Sequence, residues 1–335
     1  MRLATVVLAT VASRAAPRRN DTNVTLTVAF TSDLHGEIAP LKEAYRLLRR
    51  VEEPVLLVDA GDPFVGTAYF RSAGPEGMAR VMRAMGYKAI TVGNHELEYH
   101  KQLANFSAAV RAPLVSLNLC RFYPGVRCSY IARAGALRVG LVGYTDTSSL
   151  IDADVVPGLA LTGTCDATGA FGAAVLSEAA ALRPRVDVVV ALGHCGYDFD
   201  VALVARAHAE RPMRGPTVDA AVGGHTHYVR SSDGADYGDT PAVAQAGESG
   251  SHLGLLRLML AGSAGAGYRV AAASSEALPL GKGVTPRVAH ARGGGPPPSM
   301  RARSPPSATT RKHATRRAPP SSCRCGRSAT TWRRC

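Results

Sequence analysis

The stretch Leu26-Thr27-Val28-Ala29-Phe30, continuing through Thr31-Ser32 into Asp33-Leu34-His35-Gly36-Glu37, decides how the chain is read. Its first half alternates with period 2, the pattern of a half-buried β-strand. A strand that leaves through Asp33-Leu34-His35 presents a carboxylate and an imidazole side by side, because residues two apart on extended backbone point the same way. Carboxylate oxygen and imidazole nitrogen are ligands that zinc and manganese accept. One Asp-x-His pair is a weak signal. Its weight comes from later stretches that repeat the strand-then-polar-turn form.

Val55-Leu56-Leu57-Val58 is wholly apolar, as in a sheet covered on both faces, and ends in Asp59-Ala60-Gly61-Asp62. Ala89-Ile90-Thr91-Val92 runs into Gly93-Asn94-His95-Glu96, and Val186 to Leu192 empties into Gly193-His194-Cys195-Gly196. Val218 to Gly224 leads into His225-Thr226-His227. Leu41, Ala44, Leu47, Leu48 and Val51 lie at helical spacing and predict a helix over 41–51. Further helices are expected over 77–85, closed by Gly86, and over 99–111 and 201–209. Strands are expected over 113–117, 137–143, 243–246 and 253–260. Strands alternating with helices imply a layered α/β domain with ligands at the carboxyl ends of the strands.

Asp33, His35, Asp62, Asn94, His194, His225 and His227 all follow predicted strands. Taken singly, each reads as a turn, a cap or a satisfied histidine. Seven side chains of metal-ligand type at one end of a sheet read instead as a metal site. Gly61, Gly93, Gly193 and Gly224 precede four of them, as tight strand exits require. Seven ligands exceed what one tetrahedral ion takes and suit two divalent ions sharing a carboxylate. Ions about 3.5–4 Å apart clamp the attacking and leaving oxygens of an in-line displacement, and a bridging water ionises near neutral pH to become the nucleophile. That chemistry is hydrolysis of a phosphate ester or anhydride. His95, beside Asn94, is placed to donate to the phosphoryl group.

Asp33-Leu34-His35, Gly61-Asp62, Gly93-Asn94-His95-Glu96, Gly193-His194 and Gly224-His225-Thr226-His227 resemble, in order, the five blocks of the calcineurin-like metallophosphoesterases. The flanks 31–36, 59–67, 85–96 and 245–250 resemble the 5′-nucleotidase branch, and the likeness spans roughly residues 25–280. The resemblance implies a four-layer α/β/β/α sandwich with a dinuclear centre, of zinc or manganese. It places Asp33, His35, Asp62 and His227 on one ion and Asp62, Asn94, His194 and His225 on the other. Asn94 and His95 would touch substrate, with His95 stabilising the transition state and Glu98 orienting it. The family commonly has Phe-Asp after Gly-Asn-His-Glu; Leu97-Glu98 adds a methylene to that orienting arm. The implied activity is hydrolysis of nucleoside 5′-monophosphates or related nucleotides. Sibling activities on 2′,3′-cyclic nucleotides, nucleotide sugars and nucleoside di- or triphosphates stay open.

Charge narrows the partners. The formal charge is +13, yet no Asp or Glu follows Glu276, and residues 284–335 carry eleven Arg and one Lys. Basicity therefore belongs to a Gly/Pro/Arg-rich tail expected to be disordered, while the catalytic domain, 25–283, is nearly neutral. The family's second domain, which stacks the nucleobase, would begin near residue 285, so truncation or a slipped reading frame is expected there. A binding protein using the tail on nucleic acid is the reading from another class; Arg without interleaved aromatics gives only non-specific attraction. Residues 1–16 resemble a secretory signal, and the sequons at Asn20, Asn23 and Asn105 agree with a secreted or extracytoplasmic protein. No other run is long and apolar enough to span a bilayer. Cys120 and Cys128 bracket a turn that a disulfide could close, and Cys165 and Cys195 are buried thiols or partners.

Overall fold

The computed structural model describes residues 23–148, 165–210, 215–231, 242–263 and 267–281. The expected signal segment, the sequon at Asn20 and the basic tail lie outside the described residues.

The apolar alternation of the opening stretch becomes β1 (Asn23–Thr31). Its Val24, Leu26, Val28 and Phe30 enter one apolar layer and Ala29 enters another. β2 (Val55–Asp59) repeats the division, with Leu56 and Val58 on one side and Leu57 on the other. β1 is thus buried on both faces rather than half-buried as its alternation predicts, since Thr27 and Ala29 are covered too; β2 shows the continuously apolar run that such burial usually leaves.

Two sheets result. The first has seven strands, with β1 and β2 beside β3 (Ala89–Thr91), β4 (Leu114–Val115) and β5 (Val126–Arg127), all parallel. The other edge is built by β12 (His252–Ser263), antiparallel to β1, and β13 (Gly267–Pro279), antiparallel to β12. The second sheet has six strands. β7 (Leu137–Thr145), β8 (Val188–His194), β9 (Ala220–Gly223) and β11 (Val243–Ala246) run parallel. β6 (Ser129–Ala134) and β10 (Val229–Arg230) are antiparallel edges.

The sheets pack face to face through Val28, Phe30, Leu56, Val58, Leu141, Val190, Leu192 and Leu258. On the outer face of the first sheet lie α1 (Leu41–Leu48), α2 (Ala68–Met85) and α4 (Leu103–Val110). The second is covered by α5 (Ala170–Leu182) and α6 (Tyr197–Ala209). The expected α/β/β/α sandwich is the architecture observed.

Several elements depart from the sequence pattern. α2 starts at Ala68, well before residue 77, because Thr67 accepts from Phe70 N (3.2 Å) and Gly74 (φ 60) bends the helix ahead of Pro75. The helix expected over 99–111 is split into α3 (Asn94–Glu98), a 3-10 turn at His100–Gln102, and α4. α5 and the strands β5, β6, β10 and β13 had no counterpart in the reading. Cys120 pairs with Cys128, and Cys165 with Cys195. Among the described residues no helix is long and apolar enough to cross a membrane.

The early start of α3 rests on hydrogen bonds to one side chain. The Glu96 side chain is fully buried, and Oε2 accepts from Gly93 N (2.7 Å) and Asp62 N (3.0 Å) while Oε1 accepts from Phe64 N (3.1 Å). One carboxylate thereby joins the exits of β2 and β3. The exit of β1 is laced to the same turn by Asp33 N to Gly61 O (2.8 Å) and His35 N to Asp62 O (3.0 Å). In Glu96→Gln an amide N–H₂ must face at least one of these N–H donors. Leaving a buried donor without its partner costs about 1–3 kcal/mol. Urea titration of the metal-free variant should show a loss of about 2–3 kcal/mol; an unchanged midpoint would contradict this role.

Candidate metal centre

Five of the seven ligand-type residues have left-handed backbone: Asp33 (φ 50), His35 (φ 47), Asp62 (φ 54), His225 (φ 77) and His227 (φ 58). Non-glycine residues rarely adopt that conformation, and it persists where surrounding contacts impose it. Asn94 opens α3 and His194 closes β8. Of the four glycines ahead of ligands, only Gly61 (φ 97) needs left-handed freedom. The others answer a close approach: a Cβ on Gly93 would strike Asp62 Oδ1, one on Gly193 the Tyr144 ring, and one on Gly224 would lie 2.8 Å from Asp33 Oδ2.

All seven side chains converge. His194 Nε2 stands 3.0 Å from Asp62 Oδ2 and 3.9 Å from Asp33 Oδ1. His227 Nε2 lies 3.1 Å from His35 Nε2 and 3.5 Å from Asp33 Oδ1. The His194 and His225 rings are 5.2 Å apart, and His225 Nδ1 is 3.1 Å from Asn94 Oδ1. His95 adjoins this cluster: its N–H donates to Asp62 Oδ1 (2.9 Å), its ring is 5.3 Å from that of His35, and its Nδ1 is 2.5 Å from Glu98 Oε1. The longer Glu98 arm still reaches.

A cation is the partner this arrangement fits. Asp33 Oδ2 and His194 Nε2 are buried without a hydrogen bond; for the latter the 3.0 Å approach to Asp62 is out of alignment. His35 and His227 turn nitrogens toward each other, each a potential lone pair. Ligand atoms of Asp33, His35 and His227 lie within 4.8 Å of one another, as do those of Asp33, Asp62 and His194. Burial alone would lower the His194 pKa, but the charges of Asp62 and Asp33 raise it to about 10. Burial works against the Asp62 charge as well, and His194 and the His95 N–H hold its carboxyl well below the usual range. A proton on His194 thus neutralises carboxylates that a divalent ion would neutralise in its place.

The sequence reading passed over four contributors. Asp146, directly past β7, lies 3.2 Å from His225 Nε2, and Glu248 lies 3.2 Å from His227 Nδ1. Gln245 donates to Gly224 O (3.0 Å) and accepts from Thr226 Oγ1 (2.7 Å), which braces the turn carrying His225 and His227. Glu96 is the fourth. Signals were present: the exit of β7 repeats the strand-then-Asp form of β2, and Glu96, Gln245 and Glu248 lie in the stretches 93–96 and 245–250 that carry the family resemblance, though none was given a role.

The sequence profile of the calcineurin-like phosphoesterases matches residues 26–229. Bovine 5′-nucleotidase is 30% identical over 209 residues, covering 57% of this chain and 33% of its own. The apyrase of Anopheles gambiae is 31% identical over 212 residues, 62% of this chain and 35% of its own. The chain therefore spans about a third of the length of these curated relatives. Among solved structures, the 5′-nucleotidase precursor of Thermus thermophilus has a TM-score of 0.57 at 23% identity, over 76% of this chain and 54% of its own. The calcineurin-like phosphoesterase YfkN of Bacillus subtilis has a TM-score of 0.58 at 21% identity, over 79% of this chain and 93% of its own. With more than half of its length matched, the chain belongs to the calcineurin-like phosphoesterases, a family dependent on two divalent metal ions.

Proposed function

We propose that this chain is a metal-dependent phosphohydrolase of the 5′-nucleotidase type, acting on nucleoside 5′-monophosphates or related nucleotides. The observation that carries the proposal is the convergence of seven ligand-type side chains beside a histidine that is itself held at two points. The similarity to curated 5′-nucleotidases supports the substrate class.

Asp33, His35, Asp62 and His227 would hold one ion, and Asp62, Asn94, His194 and His225 the other. Bound ions supply Lewis acidity at a phosphoryl oxygen and lower the pKa of water. The remaining work falls to the chain. Asp62 is fixed before any ion arrives, because its Oδ1 accepts the His95 N–H and its own N–H is held by Glu96. Glu98 accepts only, so His95 Nδ1 carries the proton between them and the ring is aimed through Nε2. The His95 side chain is 33% exposed, within reach of a phosphoryl group entering from solvent. A donor placed in advance stabilises charge that grows in the transition state more than charge already present.

The similarity to an apyrase favours nucleoside di- and triphosphates as the second substrate class. Two disulfides, and a sequon on α4 whose Asn105 is exposed, support an oxidising, extracytoplasmic compartment.

The test is phosphate release from AMP, ADP and an aryl phosphate by protein stripped of metal and then given zinc or manganese. Turnover should return with metal and vanish in Asp62→Ala. His95→Ala should lower kcat about 10²–10³-fold with a small change in KM. Activity that survives both chelation and Asp62→Ala would overturn the proposal.

A further inference from the structure

The three histidines that face Asp33, Asp62 and Asn94 each have their other ring nitrogen engaged. His194 Nδ1 donates to Ala60 O (2.7 Å), and His227 Nδ1 faces Glu248 Oε2 (3.2 Å). His225 is turned the opposite way. Its Nδ1 looks toward Asn94 Oδ1 (3.1 Å) and its Nε2 toward Asp146 Oδ2 (3.2 Å).

Asp146 is built for a fixed position. Its N–H donates to His194 O (2.8 Å), which continues the β7–β8 ladder one residue past the strand. Oδ1 accepts from Ser148 N (2.8 Å) and Ser148 Oγ (2.7 Å), and this leaves Oδ2 for His225. The Asp146 side chain is 11% exposed, against 52% for Glu248.

We infer that Asp146 is a positioning residue of the metal centre. It fixes His225 in the Nε2–H tautomer and so turns the Nδ1 lone pair, together with Asn94 Oδ1, toward one of the two ions. A carboxylate accepts hydrogen bonds and donates none, so the ring nitrogen that faces it carries the proton. The other nitrogen and the Asn94 oxygen then meet as two acceptors, an arrangement a cation satisfies. A tethered imidazole is also a more basic and better-aimed ligand, and losing such a tether typically costs about 10–100-fold in metal affinity. Glu248 tethers His227 from a half-exposed position, where solvent competes for the same bond, so its contribution is the smaller. The inference rests on the metal reading proposed above.

Two measurements on the full chain test it. Long-range ¹⁵N correlation spectra of the metal-free protein read the tautomer of His225. The wild type should show Nε2–H, and Asp146→Asn should shift the ring toward Nδ1–H. Competition of manganese or zinc binding against a chelator reads affinity. The wild type should bind two ions. Asp146→Asn should weaken one of them about 10–100-fold and leave the other nearly unchanged, while the unfolding midpoint of the metal-free protein stays put. Glu248→Gln should have a smaller effect. Two ions bound with unchanged affinity in Asp146→Asn, or Nδ1–H in the wild type, would overturn this inference and leave the metal reading standing. A wild type that binds no ion would overturn both.

Discussion

The site depends on one buried carboxylate that is not itself of the ligand set. Glu96 is fully buried and gathers the N–H groups of Asp62, Phe64 and Gly93. Burial and the neighbouring Asp62 push the Glu96 pKa well up, against the backbone N–H groups that favour its charged form, so the side chain acts here as a buried acceptor that must keep its donors. Their geometry is then set by the position of one side chain. The β2 and β3 exits cannot move apart without stripping three N–H groups of their common acceptor. The β1 exit is tied to the same turn by backbone bonds, so Asp33, Asp62 and Asn94 form one unit.

Around that unit the second sheet adds its own strand ends. His194 closes β8, while His225 and His227 follow β9 on a turn held by Gln245. Asp33 Oδ1 accepts the His225 N–H (2.9 Å), and Thr91 Oγ1 donates to Leu192 O (2.6 Å), so the two sheets are joined by polar bonds beside and beneath the site. Five ligand-type residues are held with left-handed backbone. That strain, of order 1–3 kcal/mol per residue, is offset by the packed sandwich below. The consequence is preorganisation: the side chains need little rearrangement when charge arrives, which is the condition under which electrostatic stabilisation is most effective.

Sequence made the interior strands legible because burial on both faces leaves an apolar run with little ambiguity. β1, β2 and β8 fall within a few residues of their expected positions, and β11 coincides with its own. α5 escaped because alanine fills much of both its buried and its outer face, so the stripe of Val175, Leu176, Ala179 and Leu182 has little contrast. β13 escaped because most of its side chains are exposed or only partly buried, so its Ala and Ser pattern carries little contrast. The ligand set was legible because chemistry restricts which residue types can bind a metal. Asp146 and Glu248 were given no role, since a carboxylate acting through another side chain stands at no fixed spacing from it. The glycines were recognised as necessary, but at Gly93 and Gly224 what excludes a side chain is an aspartate from a distant strand. No reading of local turns could supply that reason.

The most direct test of the account is a crystal grown with manganese and measured for anomalous scattering. It predicts two peaks about 3.5–4 Å apart, with Asp62 between them. One should sit against Asp33, His35 and His227, the other against Asn94, His194 and His225. A single peak, or ions bound away from Asp62, would contradict it.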